Sequence, residues 1–161
     1  MCTTWFVQGK DYYLVDVLRE RLRYPDLKKR VVSHTRKFNA DVVLIEDTAS
    51  GTQLLQDFRT EGAMRPIGIK PEGDKTTRMS AQSAKIEAGQ VLLPESAPWL
   101  EDFKTELLQF PNGKYDDQVD SMSQYLGWQS QRDSTLFDVD WGNDDPEAPT
   151  FPLPGDYGWP L

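Results

Sequence analysis

Hydrophobic positions along this chain change period several times, and each change marks an element. Residues 2–7 and 12–19 are rich in β-branched and aromatic side chains and flank Gln8-Gly9-Lys10, so they predict a hairpin with a glycine-containing turn. Pro25 then stands where a first helical position belongs. Leu27, Val31, His34 and Phe38 follow at spacings of four, three and four, the stripe of an amphipathic helix. Residues 42–45 (Val-Val-Leu-Ile) are continuously apolar between Asp41 and Glu46-Asp47, which predicts a strand covered on both faces in a mostly parallel sheet. Ser50 is placed to cap the next helix, with Leu54, Leu55 and Phe58 as its buried stripe and Gly62 as its end.

A short strand is predicted at 66–70. Asp74 or Thr76 opens another helix that runs through Met79, Ala84 and Ile86 to Gly89, and a strand follows at 90–93. Ser96 and Pro98 start a helix carrying Trp99, Leu100, Phe103 and Leu107, which Pro111-Asn112-Gly113 breaks. A last helix spans about 115–128 with Val119, Met122 and Leu126 inward. A hairpin followed by alternating strands and helices indicates an α/β sheet with helices on its faces, in a body of residues 1–128. From 129 to 161 no period survives, and Pro146, Pro149, Pro152, Pro154 and Pro160 accompany acidic residues. That stretch reads as an extended or disordered tail, either solvated or anchored through Phe137, Trp141, Phe151, Tyr157 and Trp159.

The length, 161 residues, suits one domain plus a tail and excludes a large multidomain machine within this chain. The apolar runs fall far short of the roughly 20 residues that cross a bilayer, and no basic stretch precedes an apolar core at the N-terminus. Neither a transmembrane helix nor a secretory signal is expected. Cys2 is the lone cysteine, which excludes an intrachain disulfide and a cysteine-based zinc site and fits a reducing cytoplasm. The net charge of −8 is uneven: residues 129–161 carry seven acids against Arg132 alone, leaving −2 on the rest. A nearly neutral body with clustered bases is still able to grip nucleic acid.

Two places offer carboxylates on rigid elements. Glu46-Asp47 ends the most apolar strand, where open α/β sheets keep their sites. Asp116, Asp117 and Asp120 line the first turns of the last helix at three- and four-residue spacings. Each cluster also has a structural reading, as a solvated strand end or as acids serving a helix dipole. Together they suggest a hard divalent cation, which needs oxygen ligands from separate elements. Lys70, Lys75, Arg78 and Lys85 gather in and around one helix, where they are able to meet phosphates or simply form a solvated face. His34, on an inward stripe, reads as a packed and hydrogen-bonded residue. No phosphate-binding Gly-x-x-x-x-Gly-Lys loop and no Gly-x-Ser-x-Gly elbow occurs.

Five segments in order carry a family resemblance: Tyr-Tyr-Leu-Val-Asp-Val at 12–17, Val-Val-Leu-Ile-Glu-Asp-Thr-Ala-Ser-Gly at 42–51, Lys-Thr-Thr-Arg at 75–78, Ala-Gly-Gln-Val-Leu-Leu-Pro at 88–94 and Tyr-Asp-Asp-Gln-Val-Asp-Ser at 115–121. Over roughly residues 3–127 the chain resembles the C-terminal nuclease domain of tailed-phage terminase large subunits. The resemblance implies an α/β, ribonuclease H-like mixed sheet with flanking helices, and a metal-dependent endonuclease that cuts concatemeric viral DNA during packaging. It implies three acidic positions holding two divalent ions, Mg2+ or Mn2+. Glu46 matches the second position, Asp116 or Asp117 the third, and Asp120 lies close by as an outer ligand. Ions about 4 Å apart clamp an in-line phosphodiester attack. Lys75 and Arg78 look, by the same resemblance, like DNA-backbone contacts, and Lys85 is expected beside them as a further phosphate-holding residue.

The pattern departs from the family at its start. The strand bearing the first acid is expected before Cys2 and does not occur, Asp11 and Asp16 belong to the hairpin that follows it, and the motor ATPase is missing. An N-terminally truncated sheet is therefore expected, with a gap between the hairpin and the 42–45 strand. Its unpaired edges call for another polypeptide, a second copy or rearranged pairing. Expected partners are double-stranded DNA, an upstream terminase ATPase polypeptide, the small terminase subunit and the portal, in the cytoplasm of a bacterial host cell, without a membrane. A non-catalytic DNA- or packaging-complex-binding remnant is the rival reading, and a junction resolvase of the same fold is a third.

Overall fold

The computed structural model describes residues 1–137, with side chains through Arg132. Strand β1 (Cys2–Gln8) turns through Gly9, at φ +60°, into the antiparallel strand β2 (Asp11–Leu18). A bulge lies between the pairs Thr4↔Asp16 and Trp5↔Leu14. Its extra residue explains the burial of β2, where Tyr12 and Leu14 alternate inward and Val17, rather than Asp16, comes next. The bulge lets an aspartate sit in mid-strand without entering the core.

Helix α1 (Tyr24–Lys37) follows, then β3 (Leu44–Glu46), α2 (Ser50–Glu61), β4 (Ile67–Ile69), α3 (Lys75–Ser80), α4 (Ser83–Glu87), β5 (Val91–Leu92), α5 (Leu100–Gln109) and α6 (Asp117–Phe137). The strands form two sheets. One has the order β1-β2-β5, with β5 parallel to β2, and the other is the parallel pair β3-β4. Among the described residues β1 has β2 as its one partner and β3 has β4, so the expected gap appears as a break between the sheets.

The core gathers on the hairpin side, where Tyr12, Leu14 and Val17 meet Phe103 of α5 and Met122 and Leu126 of α6. A smaller buried group, Leu54, Leu55 and Phe58, lies on α2 as the heptad-like stripe predicts. Helix α6 ties the sheets together. Thr3 of β1 bonds Ser121 at 2.9 Å, Trp5 stacks on Tyr125 with centroids 4.9 Å apart, and Gln124 donates to Glu46 of β3 at 2.7 Å. Helix α1 bridges the other face, sharing a 2.8 Å hydrogen bond between His34 and Thr4 and donating from the Tyr24 hydroxyl to Asp57 of α2 at 2.9 Å.

Several expectations change. The 42–45 run is not covered on both faces: β3 has three residues, all half-buried, and Val42 is exposed, because one of its sides lacks a neighbouring strand. Helix α1 likewise has no fully buried residue. Ser50 is not a cap; Ala49 holds that position with no side-chain hydrogen bond, while Gly62 ends α2 in the left-handed region as expected. The predicted helix from 74 to 89 is two short helices, and the one expected from Ser96 or Pro98 begins at Leu100. Helix α6 continues past Trp128 to Phe137, so residues 129–137 are helical rather than extended. The tail expectations from 138 onward fall outside the described residues. No described helix is long and apolar enough to cross a membrane.

Candidate metal and nucleic-acid site

The site is built where α3 crosses the start of α6. Asp74 begins α3 as its N-cap, accepting from the Thr77 backbone N–H at 2.9 Å and from its hydroxyl at 2.8 Å. Those hydrogen bonds hold the Asp74 carboxyl below the usual carboxylate range. Lys75 and Arg78, three apart and so on one face, both reach α6. The Lys75 ammonium lies 2.7 Å from Asp116 Oδ1 and 3.7 Å from Asp120 Oδ2. Arg78 donates to Asp120 Oδ1 at 2.5 Å and to the Gly73 carbonyl at 2.6 Å.

The two ion pairs differ in character. Side chains of Arg78 and Asp120 are 14% and 12% exposed, whereas those of Lys75 and Asp116 are 39% and 41% exposed. The hydrogen bond to Asp116 raises the Lys75 pKa, partial burial opposes it, and the charges of Asp120, Asp116 and Asp117 add to the rise. Asp117 is itself exposed and opens α6.

The acids are held by a residue that sequence reasoning missed. Glu106, buried on α5, accepts from the backbone N–H groups of Gln118 and Val119 and, at 2.6 Å, from the Gln118 side-chain amide. A carboxylate from one helix thus satisfies the free donors at the start of another, fixing where Asp116, Asp117 and Asp120 stand. The sequence carries half of the signal: Glu106 lies on the stripe of Leu100, Phe103 and Leu107, where an acid has to find donors, but which donors is set by the packing of α5 on α6.

Glu46 approaches the same helix one turn later. Its Oε2 accepts from Gln124 at 2.7 Å and its Oε1 from the Thr48 hydroxyl at 2.7 Å. Gln124 is four residues beyond Asp120, so Glu46 and the ion-paired acids address neighbouring turns of α6. Gly51 is what permits this approach. A Cβ there would lie 1.9 Å from the Glu46 carbonyl oxygen, so α2 begins directly against the backbone that presents Glu46. Asp47 turns elsewhere, accepting from Thr52 at 2.7 Å. It lines a cleft of about 650 Å³ between β4, α3 and α6, together with Lys70, Arg78, Gln82, Gln124 and Trp128.

Of the residues expected to act together, Asp116, Asp120, Lys75 and Arg78 meet directly, whereas Glu46 bonds Gln124, one turn farther along α6. Lys85 does not join them: its ammonium lies 3.3 Å from the Tyr12 hydroxyl and 3.3 Å from the Leu126 carbonyl, over the Tyr12 ring. His34 is the hydrogen-bonded packing residue its stripe implied. Among the described residues no three potential ligands gather into one group. The donors nonetheless suit a hard cation: Asp116 and Asp120 already share one positive charge, the Lys75 ammonium, between their carboxylates.

The family model described as the terminase RNaseH-like domain matches residues 2–127. No curated protein and no solved structure matches the chain.

Proposed function

This chain belongs to the terminase RNaseH-like domain family, and on that premise we propose that it is the nuclease part of a terminase large subunit, a divalent-metal-dependent endonuclease acting on concatemeric viral DNA during genome packaging. Its mixed α/β fold is of the RNaseH-like kind, and domains of this family generally depend on divalent metals. The observation that carries the reading is the pair of carboxylates, Asp116 and Asp120, that converge on the Lys75 ammonium, one helix turn from the Gln124 that bonds Glu46.

Asp116 and Asp120 are the carboxylates best disposed to share Mg2+ or Mn2+. Glu46 and the exposed Asp117 would have to move toward them to serve as further ligands. A bound divalent ion supplies activation of water and charge neutralisation on the phosphate. Arg78, tied to Asp120 and to Gly73, orients the acid; Gln124 and Thr48 orient Glu46. Lys75 and Lys70 supply positive charge for the DNA backbone, which positions a duplex without reading its sequence.

Plasmid incubated with the full chain and Mn2+ is expected to be nicked or linearised, and Glu46→Ala is expected to abolish this. Equal nicking by both proteins removes the assignment. The rival reading, a non-catalytic module that docks DNA or packaging components, is favoured by one observation: no three ligands converge among the described residues. Calorimetric titration with Mn2+ separates the two. A saturable signal suppressed by Asp117→Asn supports the nuclease, and its absence supports the module.

The break between the sheets bears on partners. The sides of β1 and β3 that have no strand partner among the described residues, bridged by α6 on one face and α1 on the other, suit an extended strand from a terminase ATPase polypeptide. Hydrogen exchange tests this. Mixing with that polypeptide should slow exchange of the β1 and β3 amides, and unchanged exchange in both strands argues against strand addition.

A further inference from the structure

We propose that the outer face of α1, with the residues that lead into it, is a second duplex-DNA surface, separate from the acids of α6. It takes from the function proposed above only that duplex DNA is the partner.

Positive charge on the body is concentrated in one stretch. Residues 19–37 hold eight bases against Glu20 and Asp26, a net +6 in a body that is −2 as a whole. Three of these bases are engaged by neighbouring acids: Lys28 by Asp57 and Glu61, Arg30 by Glu20, and Lys37 by Asp16. Arg19 lies over the Tyr115 ring. The other four, Arg21, Arg23, Lys29 and Arg36, are exposed, and among the described residues none of them has an ion-pair partner.

Helical geometry sets two of the four in line. The stripe of Leu27, Val31, His34 and Phe38 turns toward the sheets, where His34 bonds Thr4, and Lys29 and Arg36, seven residues apart, stand on the opposite side of α1. They flank a shallow groove of about 530 Å³, which Pro25, Lys28, Val32 and Ser33 also line and no acid does. At about 1.5 Å of rise per residue they are about 10 Å apart, with Arg23 about 9 Å before Lys29.

A line of free cations fits a line of phosphates better than it fits one small anion. Duplex DNA presents one negative charge per about 1.7 Å of its axis, and contacts to that backbone need no base sequence. The chain's own residues 138–161, with six acids in 24 residues, are a sparser polyanion. The position suits holding DNA apart from the acids. Successive residues of a strand face opposite sides, and Thr3 of β1 bonds Ser121 of α6 while Thr4 bonds His34 of α1. Helix α1 is thus across β1 from α6, and a duplex lying on it is gripped without Asp116, Asp120, Lys75 or Arg78.

The test measures the affinity of the full chain for a short blunt duplex by fluorescence anisotropy over a range of salt, in EDTA, so that neither metal nor cleavage enters. Lys29→Gln with Arg36→Gln should reduce the steepness of the log–log salt dependence by about 1.8, two phosphate contacts at about 0.9 each. Lys29→Arg with Arg36→Lys keeps both charges and should retain the wild-type slope. Lys10→Gln with Lys104→Gln removes the same charge from the hairpin turn and α5, and should retain it too. Equal slopes in all four proteins mean a merely solvated face and overturn the proposal. Equal slopes with faster glutamyl-endopeptidase cleavage of residues 138–161 in K29Q/R36Q also overturn it, and assign the surface to that segment of the chain. An equal loss of slope in both Gln pairs reduces the effect to net charge and overturns it as well. If Mn2+-dependent nicking fails while the slope difference holds, the nuclease reading falls and the surface stands.

Discussion

The hairpin half and the β3-β4 half of this molecule both carry apolar strands and helix stripes, yet they bury them differently. In the first, Tyr12, Leu14 and Val17 of β2 are out of solvent against Phe103, Met122 and Leu126. In the second, all three residues of β3 are half-buried and no residue of α1 is fully buried; the buried side chains are those of α2 and Pro66. Hydrophobic composition states a demand for burial, and a neighbouring element is needed to meet it. The difference bears on the site, because Asp116 and Asp120 stand on the well-packed half while Glu46 stands on the thin one.

Core truncation gives the largest contrast. Phe103→Ala should destabilise the protein by about 3–5 kcal/mol, through lost burial and a residual cavity, whereas Ile45→Ala should remove only about 1 kcal/mol. Urea denaturation measures both, and comparable losses would mean that β3 is covered in solution as fully as β2. Next is Glu106→Ala, expected to destabilise by about 2–3 kcal/mol because buried donors of Gln118 and Val119 lose their acceptor. It should also weaken Mn2+ binding, since the start of α6 is what aligns the aspartates. A large stability loss with metal affinity intact would separate the cap from the site.

Gly51→Ala sharpens the comparison on the thin half. The new methyl group meets the Glu46 carbonyl, so α2 must shift, at about 1–3 kcal/mol. An undiminished melting temperature would show that this half yields without resistance. The smallest effect concerns pH. Burial lowers the His34 pKa below its ordinary 6.5, against the opposing charge of Asp16. The unfolded chain then takes up the proton more readily than the folded one. His34 therefore contributes stability above about pH 6.5 that is lost as the pH falls below it. Denaturation midpoints at pH 7.5 and 5.5 should fall farther apart in the wild type than in His34→Asn; equal intervals would deny His34 this part.

Local signals reached a long way. Gly9, Gly62 and Gly89 mark chain reversals that need positive φ, and Asp74 caps its helix through Thr77 as its position suggested. The stripe Val119, Met122 and Leu126 is inward, and the Lys75 and Arg78 spacing puts both on one face of α3. What local signals did not reach was pairing at a distance. Nothing in Lys75 or Arg78 alone distinguishes a phosphate contact from a partner of Asp116 and Asp120 some forty residues away.

The chain's own letters therefore determined its elements, its acids and its family likeness, because turns, caps and periodicities depend on neighbours within a few residues. Tertiary structure alone decided three things: that Glu106 anchors the acidic helix, that Gly51 lets α2 touch the Glu46 backbone, and that the two cations of α3 differ in freedom. Each depends on which surfaces exclude water from one another, and that is set by how distant segments pack.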